Sequence, residues 1–279
     1  MRIGGSVLNS FSNPEEWISE VKRLNYSCVI FPLDSTASTK DIDEYVEVIK
    51  ANNLIIGEVG IWRNLMSSDP DEQKKVLDYS IKQLELAEYV GANCAVNISG
   101  SLGSYWDGYD PANYSKRTKD LIISQSQTII DAVKPVKTTY ALEPMPWMLP
   151  DSPDSYLDLI KLVDRERFKV HLDFTNMINS IERYHNSTAF IDECFEKLSD
   201  QIVSVHIKDC LLKEGALPLV IEEKMVGDGA LDLTRVLRHV EAINPNATAF
   251  VEHLDTDKQY ADSIRYLRSI SEEAGVNIL

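Results

Sequence analysis

The run Phe168-Lys169-Val170-His171-Leu172-Asp173-Phe174-Thr175-Asn176 decides how the chain is read. Its β-rich first part ends on a carboxylate, and residues two apart in a strand share a face, so His171 lies beneath Asp173. Three other runs close in the same manner. Thr138–Glu143 ends on Glu143, Ile202–Ile207 carries His206 next to last, and Thr248–Glu252 ends on Glu252. The four side chains are 30, 33 and 46 residues apart, each step about one strand–helix unit, so a closed barrel would bring them to one rim.

Outside these four runs, Ile3–Leu8, Ser27–Phe31, Leu54–Val59 and Cys94–Ile98 read as strands, and a stretch of helical periodicity follows each of the eight. Eight such units predict an α/β fold, a (β/α)8 or TIM barrel, with residues 1–279 in one domain. Asn13-Pro14-Glu15-Glu16, Asp69-Pro70-Asp71-Glu72 and Ser152-Pro153-Asp154 mark helix starts. The helix opened by Asp69 should end at Gly91. Gly60–Ser68, Ser99–Asn113, Pro144–Ser152 and Cys210–Ala230 follow strands and read as irregular loops of the catalytic face.

Composition excludes several functions. With 44% hydrophobic and 26% charged residues the chain can bury a large core, and its formal charge of −16 repels phosphate backbones and anionic lipids, so neither nucleic acid nor membrane is an expected partner. No apolar run approaches the roughly 20 residues of a membrane span, and the start reads as a strand rather than a signal peptide, which makes the cytoplasm the expected location. Cys28, Cys94, Cys194 and Cys210 form no CxxC pair and read as buried thiols.

Charged residues are seldom placed inward in a barrel, so the alignment of Glu143, Asp173, His206 and Glu252 points to one divalent metal. Three carboxylates and an imidazole suit Mn2+ first, then Mg2+, Co2+ or Zn2+. Strand parity turns Lys208 inward with His206, where it could bind an anionic or hydroxyl group of the substrate or pair with a ligand carboxylate, and turns His253 away from Glu252. Glu58 and Asn97 close their strands on the same rim as candidate substrate contacts. His171 is either a substrate contact or a hydrogen-bonded core histidine, and Asp209 supports a neighbouring loop or ligand. Trp62, Trp106, Tyr109 and Trp147 could stack on a sugar ring or a flat aglycone, or serve as loop packing or a subunit contact. The apolar Pro144–Pro150 loop fits an interface, in a homo-oligomer or with a partner subunit, as well as it fits a lid.

Glu143-Pro144, Leu172-Asp173-Phe174-Thr175-Asn176, His206-Ile207-Lys208-Asp209, Gly227-Asp228-Gly229-Ala230-Leu231-Asp232 and Glu252, in this order, resemble the xylose-isomerase-like barrel superfamily of sugar isomerases and epimerases. The resemblance spans nearly the whole chain. It implies, by likeness to the ketose 3-epimerases, that Glu143, Asp173, His206 and Glu252 hold the metal and that Glu143 and Glu252 double as acid and base. Asn176 stands where those epimerases commonly carry a histidine, and no arginine follows the His-Ile-Lys-Asp stretch at the usual phosphate-binding place, so an unphosphorylated or unusual substrate is expected.

The expected chemistry is proton transfer next to the carbonyl of a small carbohydrate-like substrate, with the metal stabilising the enediolate. A lyase of the inosose-dehydratase or C-glycoside-cleaving type is the alternative, and a non-catalytic partner subunit a third. Abasic-site endonucleases share the barrel but need a His-rich zinc cluster and a basic surface, which five histidines and this charge do not provide.

Overall fold

In the computed structural model, residues 1–244 and 247–279 are described. The strands are β1 (Arg2–Gly5), β2 (Cys28–Ile30), β3 (Ile55–Gly60), β4 (Cys94–Asn97), β5 (Thr139–Leu142), β6 (Phe168–Leu172), β7 (Ile202–Ile207), β8 (Asp209–Leu212), β9 (Ile221–Lys224) and β10 (Thr248–Val251). Eight of them form one parallel sheet in the order β1-β10-β7-β6-β5-β4-β3-β2. At the remaining seam Ser27 N–H donates to Ile3 O (2.8 Å) and Ser27 Oγ accepts from Ile3 N (3.0 Å), which brings β1 and β2 together and nearly closes a TIM barrel.

The helices are cut where the caps place them. Asn13 Oδ1 accepts from Glu16 N at 2.8 Å ahead of Pro14–Arg23, and Asp69 Oδ1 accepts from Asp71 N at 2.9 Å ahead of Pro70–Val90. Gly91, at φ 75°, ends the second of these in the left-handed conformation that glycine adopts without strain. Val76, Leu84, Leu86, Ala87 and Val90 bury its apolar side, with Tyr79 and Ile81 half-buried at its edge. All four cysteines are free and buried. Among the described residues no helix is long and apolar enough to cross a membrane.

Two expectations need correction. The first strand is Arg2–Gly5 rather than Ile3–Leu8; the chain leaves the barrel after Gly5, and exposed Leu8 gives its N–H to Asp257 Oδ1 (3.0 Å). Cys210–Ala230 is not irregular throughout, because β8 and β9 pair as an antiparallel hairpin inside it.

The barrel interior is fitted around Phe250 of β10, which is fully buried. A Cβ on Gly57 would lie 2.5 and 2.6 Å from two atoms of that ring, so only glycine lets β3 pass it. Gly57 is also skipped by the β2–β3 ladder, which pairs Val29 with Ile56 and Ile30 with Glu58, making Gly57 a bulge residue. Gly57→Ala is therefore expected to destabilise the barrel by about 1–3 kcal/mol. Urea unfolding should show a lower midpoint at unchanged slope; a midpoint equal to that of the wild type would refute the fit described.

Candidate metal and acid–base site

Glu143, Asp173, His206 and Glu252 come from β5, β6, β7 and β10, neighbours in the sheet, and stand at or just past the strand ends. Glu143 is set by its N–H donating to Asn97 O at 2.8 Å, and Asp173 by accepting from Asn176 N at 2.8 Å. One ligand atom from each of the four lies within 4.8 Å of the others. His206 Nδ1 faces the carboxylates, 2.9 Å from Glu252 Oε1, 3.3 Å from Glu143 Oε1 and 4.0 Å from Asp173 Oδ2. Its Nε2 faces the other way, 3.4 Å from Glu58 Oε2.

Lys208 is the cation among these charges. Its Nζ is 2.7 Å from Asp173 Oδ2, 3.7 Å from Glu143 Oε1, and pairs closely with Glu252 Oε1. Yet neither Asp173 Oδ2 nor Glu252 Oε1, both buried, accepts a hydrogen bond of good direction. Two buried carboxylate oxygens that face a cation without a well-directed hydrogen bond suit a cation site, and the donor set of three carboxylates and one imidazole fits a divalent ion. A divalent ion would compete with the Lys208 ammonium for these same oxygens.

Burial and proximity drive the titration of the metal-free cluster. Burial, helped by the neighbouring Glu252 charge, pushes the Glu143 carboxyl above the usual range. Burial would raise Glu252 too, but His206 and Lys208 overcome it and hold that carboxyl well below the usual range. Burial disfavours the charged forms of His206 and Lys208, and the surrounding carboxylates nonetheless raise both well above their ordinary values. The two glutamates are thus pushed apart, as in pairs that divide acid and base roles.

Asn176 ties the site together. Its Nδ2 donates to Glu143 Oε1 and to Pro144 O, both at 3.1 Å, and its Oδ1 accepts from Lys208 Nζ at 3.2 Å. Lys208 is turned inward and almost fully buried, where it pairs with the carboxylates. Asp209, next in the chain, accepts from the N–H groups of Cys210 (2.9 Å), Gly227 (3.2 Å), Gly229 (3.1 Å) and Leu231 (3.1 Å), so it shapes the Gly-Asp-Gly turn.

Beside Asn176 opens a cavity of about 580 Å³, lined on its polar side by Asn176, Thr175, Glu223 and His253 and on its apolar side by Met145, Trp147, Leu219 and Ile221. Trp147 is fixed at its mouth, the indole N–H donating to Asp107 O at 2.6 Å. Trp62 is half-buried and packs against Cys94, Val96 and Ala141. Trp106 is exposed on the loop after β4 and lies outside the residues lining this cavity. Asn97 has both side-chain groups engaged by the Arg63 backbone, at 3.1 and 3.0 Å, which pins the loop after β3.

Glu58 and His171 are wholly buried and bonded to each other, His171 Nε2 lying 3.0 Å from Glu58 Oε1. This places Glu58 beneath the four-residue cluster rather than on the rim, and gives His171 the hydrogen-bonded core position. His253 does not follow strand parity. β10 ends at Val251, His253 sits at φ 56°, and its ring turns back to line the cavity 3.1 Å from Glu223. Ser204, which donates to Glu58, was absent from the candidates, although it stands two residues before His206 and shares its face. Met145, Thr175 and Glu223 were missed as well; only their places in loops or the hairpin beside the rim pointed to them.

An eight-stranded parallel barrel with an acidic and imidazole cluster at the C-terminal ends of its strands defines the class: a TIM-barrel protein with a buried site able to hold a divalent metal. The chain belongs to the xylose isomerase-like TIM barrel family, whose model matches residues 18–270. Solved structures agree in fold. A D-tagatose 3-epimerase-like protein is 19% identical, with 99% of this chain and 98% of that one covered at a TM-score of 0.73. The 3-keto-D-glucoside 4-epimerase of E. coli is 17% identical, with 96% and 99% covered at 0.71. A xylose isomerase-like protein of Mycobacterium smegmatis, solved in complex with magnesium, is 16% identical, with 94% and 90% covered at 0.69. No curated protein matches the sequence.

Proposed function

We propose that the protein is a divalent-metal-dependent isomerase or epimerase of a sugar or sugar-like ketone, moving a proton at the carbon next to the carbonyl. The observation that carries this reading is the convergence of Glu143, Asp173, His206 and Glu252 within 4.8 Å, with Asp173 Oδ2 and Glu252 Oε1 buried and facing the Lys208 cation. A divalent ion held by these four, Mn2+ or Mg2+ by donor chemistry, would draw electron density from the substrate carbonyl as charge develops on its oxygen. Glu252 and Glu143, on strands either side of β6 and β7, can take a proton from one side of the substrate and return one from the other. Lys208 and Asn176 hold the orientation of those carboxylates and offer donors to a substrate hydroxyl. Trp147 and Met145 close the apolar side of the cavity and limit water there. Relatives named for ketose and ketoglucoside epimerisation support the same class of substrate.

The test is metal content by plasma mass spectrometry after loading with Mn2+ or Mg2+ and desalting, together with thermal unfolding. One ion per chain is expected, and at a hundred times its Kd the ion should stabilise the fold by about 2.7 kcal/mol, raising Tm by several degrees. No stoichiometric metal and an unchanged Tm would refute the proposal in favour of a non-catalytic partner subunit.

A further inference from the structure

Beneath the cluster the barrel encloses a second group of polar side chains with no access to solvent: Glu58 of β3, His171 of β6 and Ser204 of β7. Glu58 crosses the interior to reach the other two. Its Oε1 accepts from Ser204 Oγ and lies 3.0 Å from His171 Nε2, while its Oε2 lies 3.4 Å from His206 Nε2. The two imidazoles meet edge to face, their centres 4.0 Å apart. With Oε1 taken by Ser204 and His171, Oε2 is the oxygen left to accept from His206 Nε2.

From this geometry we infer that Glu58 is a positioning residue for the metal site: it holds a proton of His206 on Nε2, so that Nδ1, on the side of Glu143, Asp173 and Glu252, is the nitrogen left to ligate the metal. The inference rests on the metal reading of those four residues. The backbone is shaped for it. The two register slips of the barrel ladder leave Gly57 unpaired on β3 and Val203 unpaired on β7, immediately before Glu58 and Ser204. Bulges of this kind re-aim the side chains beside them. A buried carboxylate with both oxygens engaged, on a strand that supplies none of the four site residues, keeps one oxygen for His206, the one partner that belongs to the cluster. His171 serves as its anchor, donating through Nε2 while its Nδ1 is left without a partner. A carboxylate behind a ligating imidazole also raises the basicity of the ligand, and losing one costs metal affinity about 10–100-fold.

The test loads wild type, Glu58→Gln and His171→Phe with Co2+ and records the dissociation constant and the visible absorption of the bound ion. Circular dichroism and metal-free Tm report folding separately. Glu58→Gln keeps the shape but offers His206 an amide, which can donate to Nε2 and move the ring proton to Nδ1. About 10–100-fold weaker Co2+ binding and a shifted spectrum are expected. His171→Phe leaves Glu58 charged but loose, and several-fold weaker binding with a shift of the same kind is expected. Wild-type affinity and spectrum in whichever of the two variants folds would overturn the inference while leaving the metal reading intact. Failure of the wild type itself to bind Co2+ would overturn both.

Discussion

Glu252→Gln is expected to slow proton exchange at the carbon beside a substrate carbonyl by about 10²–10⁴-fold, the usual contribution of a positioned acid–base group, in a barrel that remains folded. The reason lies in its place. Of the four clustered side chains Glu252 is the most open, with 13% of its side chain exposed, and His206 and Lys208 favour its ionised form. Glutamine keeps the volume and can still accept from Lys208, but it cannot take a proton from carbon. It also removes one anionic donor from the cation site, so metal affinity should fall with the rate. Saturating the variant with metal separates the two effects: exchange that stays slow at full occupancy belongs to the missing base. Wild-type exchange by the saturated variant would remove Glu252 from the acid–base role.

Asp209→Ala is expected to cost about 3–5 kcal/mol of stability, although it lies outside the metal cluster. Four backbone N–H groups, those of Cys210, Gly227, Gly229 and Leu231, converge on this one carboxylate, whose own pKa is raised by burial against their opposing pull. Alanine would leave them without their acceptor, and a buried donor without a partner costs about 1–3 kcal/mol. The turn they hold carries Val226 and Leu231 into the core and joins β9 to the rest of the barrel, so the loss should spread beyond the loop. Urea unfolding measures it directly. A change below about 1 kcal/mol would mean that water replaces the carboxylate and that the turn is held by its packing instead.

The legible parts of the chain share one property: they follow from strand periodicity and strand ends. Glu143, Asp173, His206 and Lys208 could be placed because alternation fixes direction, and the direction of an inward charge at a strand end is informative. Asp209 could be assigned a supporting role because it ends the same stretch. What lay beyond reach was depth and distance across the barrel. Its place at the strand end put Glu58 on the rim but could not show that it lies below it and reaches β6 and β7, more than a hundred residues on, because register slips at Gly57 and Val203 decide that. His253 escaped parity because the strand had already ended at Val251 and His253 itself is left-handed. The β8–β9 hairpin lay in the segment Cys210–Ala230 that reads as an irregular loop, although Leu211-Leu212 and Val220-Ile221 flank Gly215 and Pro218 as two short apolar arms.

The most direct test of the central claim is deuterium incorporation from D2O, followed by proton NMR, into a panel of ketohexoses and cyclic hydroxyketones, with the protein stripped by EDTA and then reloaded with Mn2+. The account predicts that deuterium enters at least one of them at the carbon next to the carbonyl, only in the reloaded protein, and not in Glu252→Gln. Exchange that proceeds equally in the stripped protein would contradict the role assigned to the metal, and a bound metal with no exchange in any of these substrates would contradict the proton transfer itself.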